Sequence, residues 1–317
     1  MAKTSARARR KKRMMRRIRK VTDMLLVAVI LCCAVYLVGD YLNAQNTINK
    51  ANSIKGSYYS ALAQSAEEDT VEANPVETKQ EVTVTEEETE VELIAPEAPN
   101  AKRSIKVSGE SLMQDQFIKL YEANNDLVAW LKVNDEVEYP VVWRDNMFYM
   151  DHDYYGKYDN AGWIFLDERN DSTMSDDALL IYGHNMKYGE MFGKLDKYEK
   201  KDYLRANPII ELQPIWMKEP KEYVIFALAD ASMNPDHSSY VKITEFNFET
   251  DEEKEQYIAA LRESSIYDIP IETDANDQIV LLITCNYTYP NGRLIIVGRE
   301  LREGETAEGI RAMFSGK

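Results

Sequence analysis

Outside one apolar stretch near the N-terminus the chain has a single cysteine, Cys285, at the end of the apolar run 279–284. A cysteine without an intramolecular partner is a filler, an intermolecular link or a nucleophile. The nucleophile is the thiolate, and a thiol with a pKa of about 8.5 is only a few per cent ionised near neutrality, so this chemistry needs a cationic neighbour. Of three histidines, His184 follows the apolar run 179–182 within Tyr182-Gly183-His184-Asn185-Met186, a strand end where side chains converge on a cleft. His152, in Asp151-His152-Asp153, and His237, in Asn234-Pro235-Asp236-His237-Ser238, lie in polar, turn-forming stretches and are weaker candidates for the base. Thiol acyl transfer also needs a donor for the oxyanion. Arg293 starts the run 294–297 directly after Tyr289-Pro290-Asn291-Gly292, so a hairpin returns it beside the end of the Cys285 strand. Taken singly, these are a small buried hydrophobe, a hydrogen-bonded loop histidine and a surface arginine. Only together do they point to acyl transfer through sulfur.

Positioning three such groups requires a rigid frame. Short apolar runs recur at 127–133, 139–143, 162–166, 179–182, 209–212, 223–228, 279–284 and 294–297, separated by turn-rich segments. Eight such runs predict a mainly β fold, a closed or nearly closed eight-stranded barrel. Residues 111–124 place Leu112, Phe117, Leu120 and Tyr121 at near-helical spacing. Residues 251–264 set Tyr257, Ile258 and Leu261 on one face among charges, which predicts a surface helix between the sixth and seventh strands. No repeat of 20–50 residues is visible, against a propeller or solenoid.

The net charge of −16 conceals a basic tag on an acidic body. Residues 1–20 hold 11 Lys or Arg and no acid; setting them aside leaves 27 basic against 54 acidic residues. Such a body repels polyanions, which argues against nucleic acid as a partner. Residues 24–39 follow the tag without a charge or strong helix breaker, and 21–42 read as a single transmembrane signal anchor, short for the roughly 20 apolar residues of a full span. Its basic flank predicts a cytosolic N-terminus with the remaining chain outside the cell. A secretory signal peptide shares this layout, but no clear A-x-A site follows. Residues 43–105 read as a helical, then acidic stalk, with 12 acids, one lysine and three prolines in 66–99, and residues 106–317 as the catalytic domain. Too few soft ligands are present for a Cys-rich zinc module, and neither GxGxxG nor GxxxxGK[ST] occurs.

The ordered segments resemble those of the sortase family, in particular class B. The resemblance is carried by Leu282-Ile283-Thr284-Cys285 with Arg293 after it, and by Ile181-Tyr182-Gly183-His184-Asn185-Met186 followed by Met191-Phe192-Gly193. Upstream, Tyr139-Pro140-Val141-Val142, Asp145-Asn146-Met147-Phe148-Tyr149 with His152-Asp153, and Ala161-Gly162-Trp163-Ile164-Phe165-Leu166-Asp167 complete the series. Leu281 stands where the family's TLxTC has its first threonine. The resemblance covers about residues 111–302. It implies an eight-stranded sortase-type β-barrel with N-terminal helices and a helix between the sixth and seventh strands. It also implies a membrane-anchored cysteine transpeptidase on the outer face of a Gram-positive-type cell, using no metal or organic cofactor. Cys285 would then be the nucleophile, His184 the general acid/base or imidazolium partner, and Arg293 the oxyanion or substrate-positioning cation, with Tyr182, Ile283, Thr284 and Asn286 on the substrate. The implied partners are a C-terminal sorting-motif peptide of a surface protein, cleaved at a threonine carbonyl, and a peptidoglycan amine. A pilin-polymerising sortase and a non-catalytic, membrane-tethered peptide-binding scaffold are the competing readings.

Overall fold

A computed structural model describes residues 2–71, 113–243, 245–286 and 292–315. Most of the acidic stretch assigned to the stalk, the start of the helix expected from residue 111, and residues 289–291 of the expected turn lie outside the described residues. Among the described residues, eight strands close a barrel: β1 (Leu127–Val133), β2 (Val137–Trp143), β3 (Phe165–Leu166), β4 (Ala178–Tyr182), β5 (Ile209–Pro214), β6 (Lys221–Ser232), β7 (Ile279–Asn286) and β8 (Gly292–Glu300). Their spatial order is β1-β2-β3-β4-β7-β8-β6-β5, with β5 pairing back to β1. The β2–β3 and β4–β7 pairs are parallel, whereas β7–β8 and β6–β8 are antiparallel. All eight apolar runs read from the sequence lie within a strand or contain one.

The wall formed by β4, β7 and β8 explains why those runs are uninterrupted. A strand covered on both faces reads as a continuous apolar stretch rather than an alternating one. Residues 178–181 of β4, 279–284 of β7 and 294–299 of β8 are buried throughout. β6 is long enough to pair with β5 at its start and with β8 along nearly its whole length, helped by a bulge between Ile225 and Ala227.

The helices are α1 (Ala2–Val71), α2 (Asp115–Ala123), α3 (Lys201–Ala206), α4 (Asp251–Glu263) and α5 (Ala307–Ser315). α4 lies between the sixth and seventh strands, as the sequence predicts. Thr250 caps it by accepting the Glu253 N–H at 3.2 Å, and three acids in its first turn face the positive end of the helix dipole. Its buried Lys254 reaches Asp177 at 2.6 Å, fastening the helix next to the start of β4. α3 and α5 are not anticipated by the sequence reading.

The chain divides into two compact units, residues 1–48 and 49–317. The first is helical, and its apolar residues 24–39 are all exposed, within a helix long and apolar enough to cross a membrane. The second begins inside the range read as a stalk. There Ile54 and Tyr58 of α1 are buried, one helical turn apart. Tyr58 stacks on Trp130 of β1, ring centroids 4.1 Å apart, and donates to Gln213 of β5 at 3.0 Å. Lys55 and Tyr59 both reach Glu138 of β2. Residues 49–65 are therefore part of the packing of the barrel unit.

Candidate active site

Two parallel strands and one hairpin fix the backbone of the site. In the β4–β7 pair Tyr182 lies opposite Ile283, and the Gly183 N–H donates to the Ile283 carbonyl at 3.2 Å. His184 and Cys285 each follow two residues beyond that matched pair, so both stand at the same edge of the barrel. In the β7–β8 hairpin Cys285 lies directly opposite Arg293, and Asn286 opposite Gly292. Three consecutive strands thus deliver His184, Cys285 and Arg293 to one rim.

The His184 loop is held tightly. A Cβ at Gly183 would approach the Ile164 side chain to 2.4 Å and the Phe192 ring to 2.7 Å, so both would have to shift to admit one. The His184 carbonyl accepts from the Phe192 N–H at 3.0 Å, and Asn185 bridges to Met191. Met191 has φ 50°, a region that costs a non-glycine residue about 1–3 kcal/mol. Its N–H donates to the Tyr139 hydroxyl at 3.1 Å, which ties the loop to β2. The half-buried imidazole sets its Nε2 2.7 Å from the Met150 carbonyl oxygen. The two weaker histidines serve turns: His152 stacks on Phe148, with centroids 4.3 Å apart, in the turn that ends at Met150, and His237 Nδ1 accepts from the Ser239 N–H at 3.1 Å.

Tyr182 connects this rim to an ion pair. Its hydroxyl donates to Asp167 at 3.1 Å, and Arg169 grips the same carboxylate through Nε at 2.8 Å and Nη2 at 2.6 Å. Burial pushes the Asp167 carboxyl up, but the hydrogen bonds and charge of Arg169 outweigh it and hold the group below its usual range. Burial, and then the Asp167 charge, push the Tyr182 phenol well up, so it stays a neutral donor. The positive charges of Arg169 and Arg293 oppose that shift, which puts the Arg293 guanidinium within electrostatic reach of the Tyr182 hydroxyl. Arg293 itself is half-buried and donates to the neighbouring Gly292 carbonyl at 2.9 Å.

Of the other residues read as substrate-contacting, Ile283 and Thr284 are buried, and the Thr284 hydroxyl has no partner among the described residues. Asn286 ends β7. The Met150 carbonyl was not foreseen, because a backbone acceptor carries no signature of residue type. Among the described residues no group of three or more His, Cys, Asp or Glu is arranged to hold a metal ion.

The sortase domain family profile matches residues 132–301. Sortase B of Listeria monocytogenes is 35% identical over 197 residues, which is 61% of this chain and 76% of that protein. The structure of sortase B from Bacillus anthracis superposes with a TM-score of 0.55 at 28% identity, covering 62% of this chain and 87% of that one. Clostridium perfringens sortase B gives a TM-score of 0.53 at 27% identity, covering 58% and 98%.

Proposed function

The chain belongs to the sortase family, in its class B, a family of cysteine transpeptidases, and from that premise we propose a specific reaction for it. The Cys285 thiolate attacks a threonine carbonyl within the C-terminal sorting motif of a surface protein, and Arg293 steadies the oxyanion that forms. The peptide C–N bond breaks as His184 gives its proton to the leaving amine. This leaves a thioester on Cys285. A peptidoglycan amine then attacks the thioester, loses a proton to His184, and releases the thiolate as the C–S bond breaks. Transfer to an amine retains an acyl bond that hydrolysis would lose, so the rim must admit a second substrate while disfavouring water. Tyr182 and Asn286 are the proposed substrate contacts on the rim, while the buried Ile283 and Thr284 act through strand shape and backbone. The sequence of residues 1–42 supports a single-pass anchor with a cytosolic N-terminus and an extracellular barrel.

The observation that carries this reading is the register that brings His184, Cys285 and Arg293 to one rim on adjacent strands. The test is mass spectrometry of the full chain incubated with sorting-motif peptides and candidate amines. The expected result is a covalent adduct on Cys285 and an amine-dependent transfer product. Cys285→Ala should abolish both without lowering the melting temperature, and transfer by that variant would overturn the mechanism.

A further inference from the structure

Met150 ends a 3-10 turn, Phe148–Met150, whose start is capped by Asp145 Oδ1, which accepts the Met147 and Phe148 N–H groups at 3.1 and 2.9 Å. The residues that follow fold back into the unit. Asp153 is fully buried and accepts the Tyr155 and Lys157 N–H groups at 3.0 and 2.9 Å, and Lys50 of α1 bridges Asp153 and Asp159 at 2.7 and 3.0 Å. This clamp brings Gly162 against the carbonyl side of the turn. Gly162 has φ +56°, and the Trp163 N–H donates to the Tyr149 carbonyl at 2.9 Å. A Cβ on Gly162 would lie 2.3 Å from the Tyr149 oxygen and 2.8 Å from the Met150 oxygen, both backbone atoms without a rotamer to yield. Only a glycine lets the Met150 carbonyl occupy the place where it meets His184 Nε2 at 2.7 Å.

We propose that the Met150 carbonyl is the orienting partner of His184, and that Gly162 is the positioning residue that keeps this carbonyl in place. A carbonyl only accepts, so the ring proton of neutral His184 is held on Nε2. Nδ1 is then the nitrogen that exchanges a proton during acyl transfer. A peptide oxygen here does for the imidazole what a carboxylate or amide side chain does in other nucleophile and base pairs, fixing tautomer and ring plane. The consequence for rate rests on the transpeptidase reading, whereas the tautomer does not.

Long-range proton–nitrogen correlation on the full chain, labelled with ¹⁵N-histidine and held in detergent micelles above the imidazole titration, reads the tautomer directly. The His184 signals are assigned by their loss in His184→Gln. A protonated Nε2 and an unprotonated Nδ1 are expected. In Gly162→Ala the Nε2-protonated population should fall, with transfer slowed about 10²-fold, the scale expected for a misplacement near 1 Å. A wild-type ring protonated on Nδ1 overturns the proposal even if the variant does not fold, and so does a folded Gly162→Ala with tautomer and rate unchanged. An Nε2-protonated His184 in a chain that makes no Cys285 adduct would remove the transpeptidase reading and keep the orientation assignment. Transfer by a chain whose ring is protonated on Nδ1 would do the reverse.

Discussion

The two ends of β8 each carry an arginine, and they use their donors in opposite ways. Arg299, beside the start of β7, is 2% exposed. Its Nε donates to the Glu272 carbonyl at 2.7 Å, Nη1 to the Glu300 carbonyl at 3.0 Å, and both terminal nitrogens grip Glu305 at 2.6 and 2.7 Å. Arg293, six residues earlier and opposite Cys285, is half-buried, and among the described residues its one side-chain hydrogen bond goes to the adjacent Gly292 carbonyl. A guanidinium has five N–H donors in a fixed fork. Arg299 has committed its fork to the fold, whereas Arg293 keeps most of its capacity for something that arrives. Charge and strand are the same at both positions, so the role is set by where the hydrogen bonds go.

The strongest way to break this contrast is to remove the committed arginine. Arg299→Ala takes the donor from the Glu272 and Glu300 carbonyls and leaves the part-exposed Glu305 carboxylate with the Arg302 N–H alone, and groups left unsatisfied in this way cost about 1–3 kcal/mol. A fall in denaturant midpoint of that size is expected, with transfer per folded molecule close to normal at low temperature. Arg293→Ala should do the opposite. Its stability should stay within about 0.5 kcal/mol of wild type, since among the described residues its side chain makes no buried ion pair or bond network whose loss would cost more. Its transfer rate should drop by about 10²-fold or more, the scale of a lost oxyanion donor. Arg293→Lys should recover little of it, because a point charge does not reproduce the fork. A destabilised Arg293→Ala of undiminished rate would erase the distinction between the two ends.

The barrel was legible because its wall is simple. Residues 178–181 and 279–284 are buried on both faces, so each strand appears as an unbroken apolar run. α4 was legible because an amphipathic stripe follows acids and a threonine cap. The docking of α1 was not. Lys50, Tyr58 and Tyr59 look like solvated polar positions on a helix, and their partners Asp153, Gln213 and Glu138 lie 103, 155 and 79 residues away. The same limit applies at the site. Neither composition nor spacing says that β4 and β7, nearly a hundred residues apart, are parallel neighbours; His184 stood out by its place at the end of an apolar run, and the family resemblance added its role as partner of Cys285. The hairpin that sets Arg293 opposite Cys285 was local enough to read from Pro290, Asn291 and Gly292. Leu281, where the family has threonine, is fully buried between Leu180 and Val297, so the departure falls on wall packing rather than on the rim.

The mildest test of the contrast uses acid. The hydrogen bonds from Arg299 outweigh the upward pull of burial on Glu305, and with the Arg302 N–H and the two positive charges they hold its carboxyl down to about 2, from an ordinary value near 4.5. A carboxylate more acidic in the folded chain than in the unfolded one stabilises the fold above the unfolded pKa. Between about pH 4.5 and 2 the unfolded chain takes up this proton and the folded chain does not, so the contribution shrinks as pH falls through that window. Urea unfolding of wild type and Glu305→Gln at pH 6 and near pH 2 isolates the group from the other acids that titrate in the same range. The variant should be less stable at pH 6 and approach wild type near pH 2. An equal gap at both values would mean that the Glu305 charge is immaterial to the Arg299 end of β8, and that the end is held by the backbone carbonyls alone.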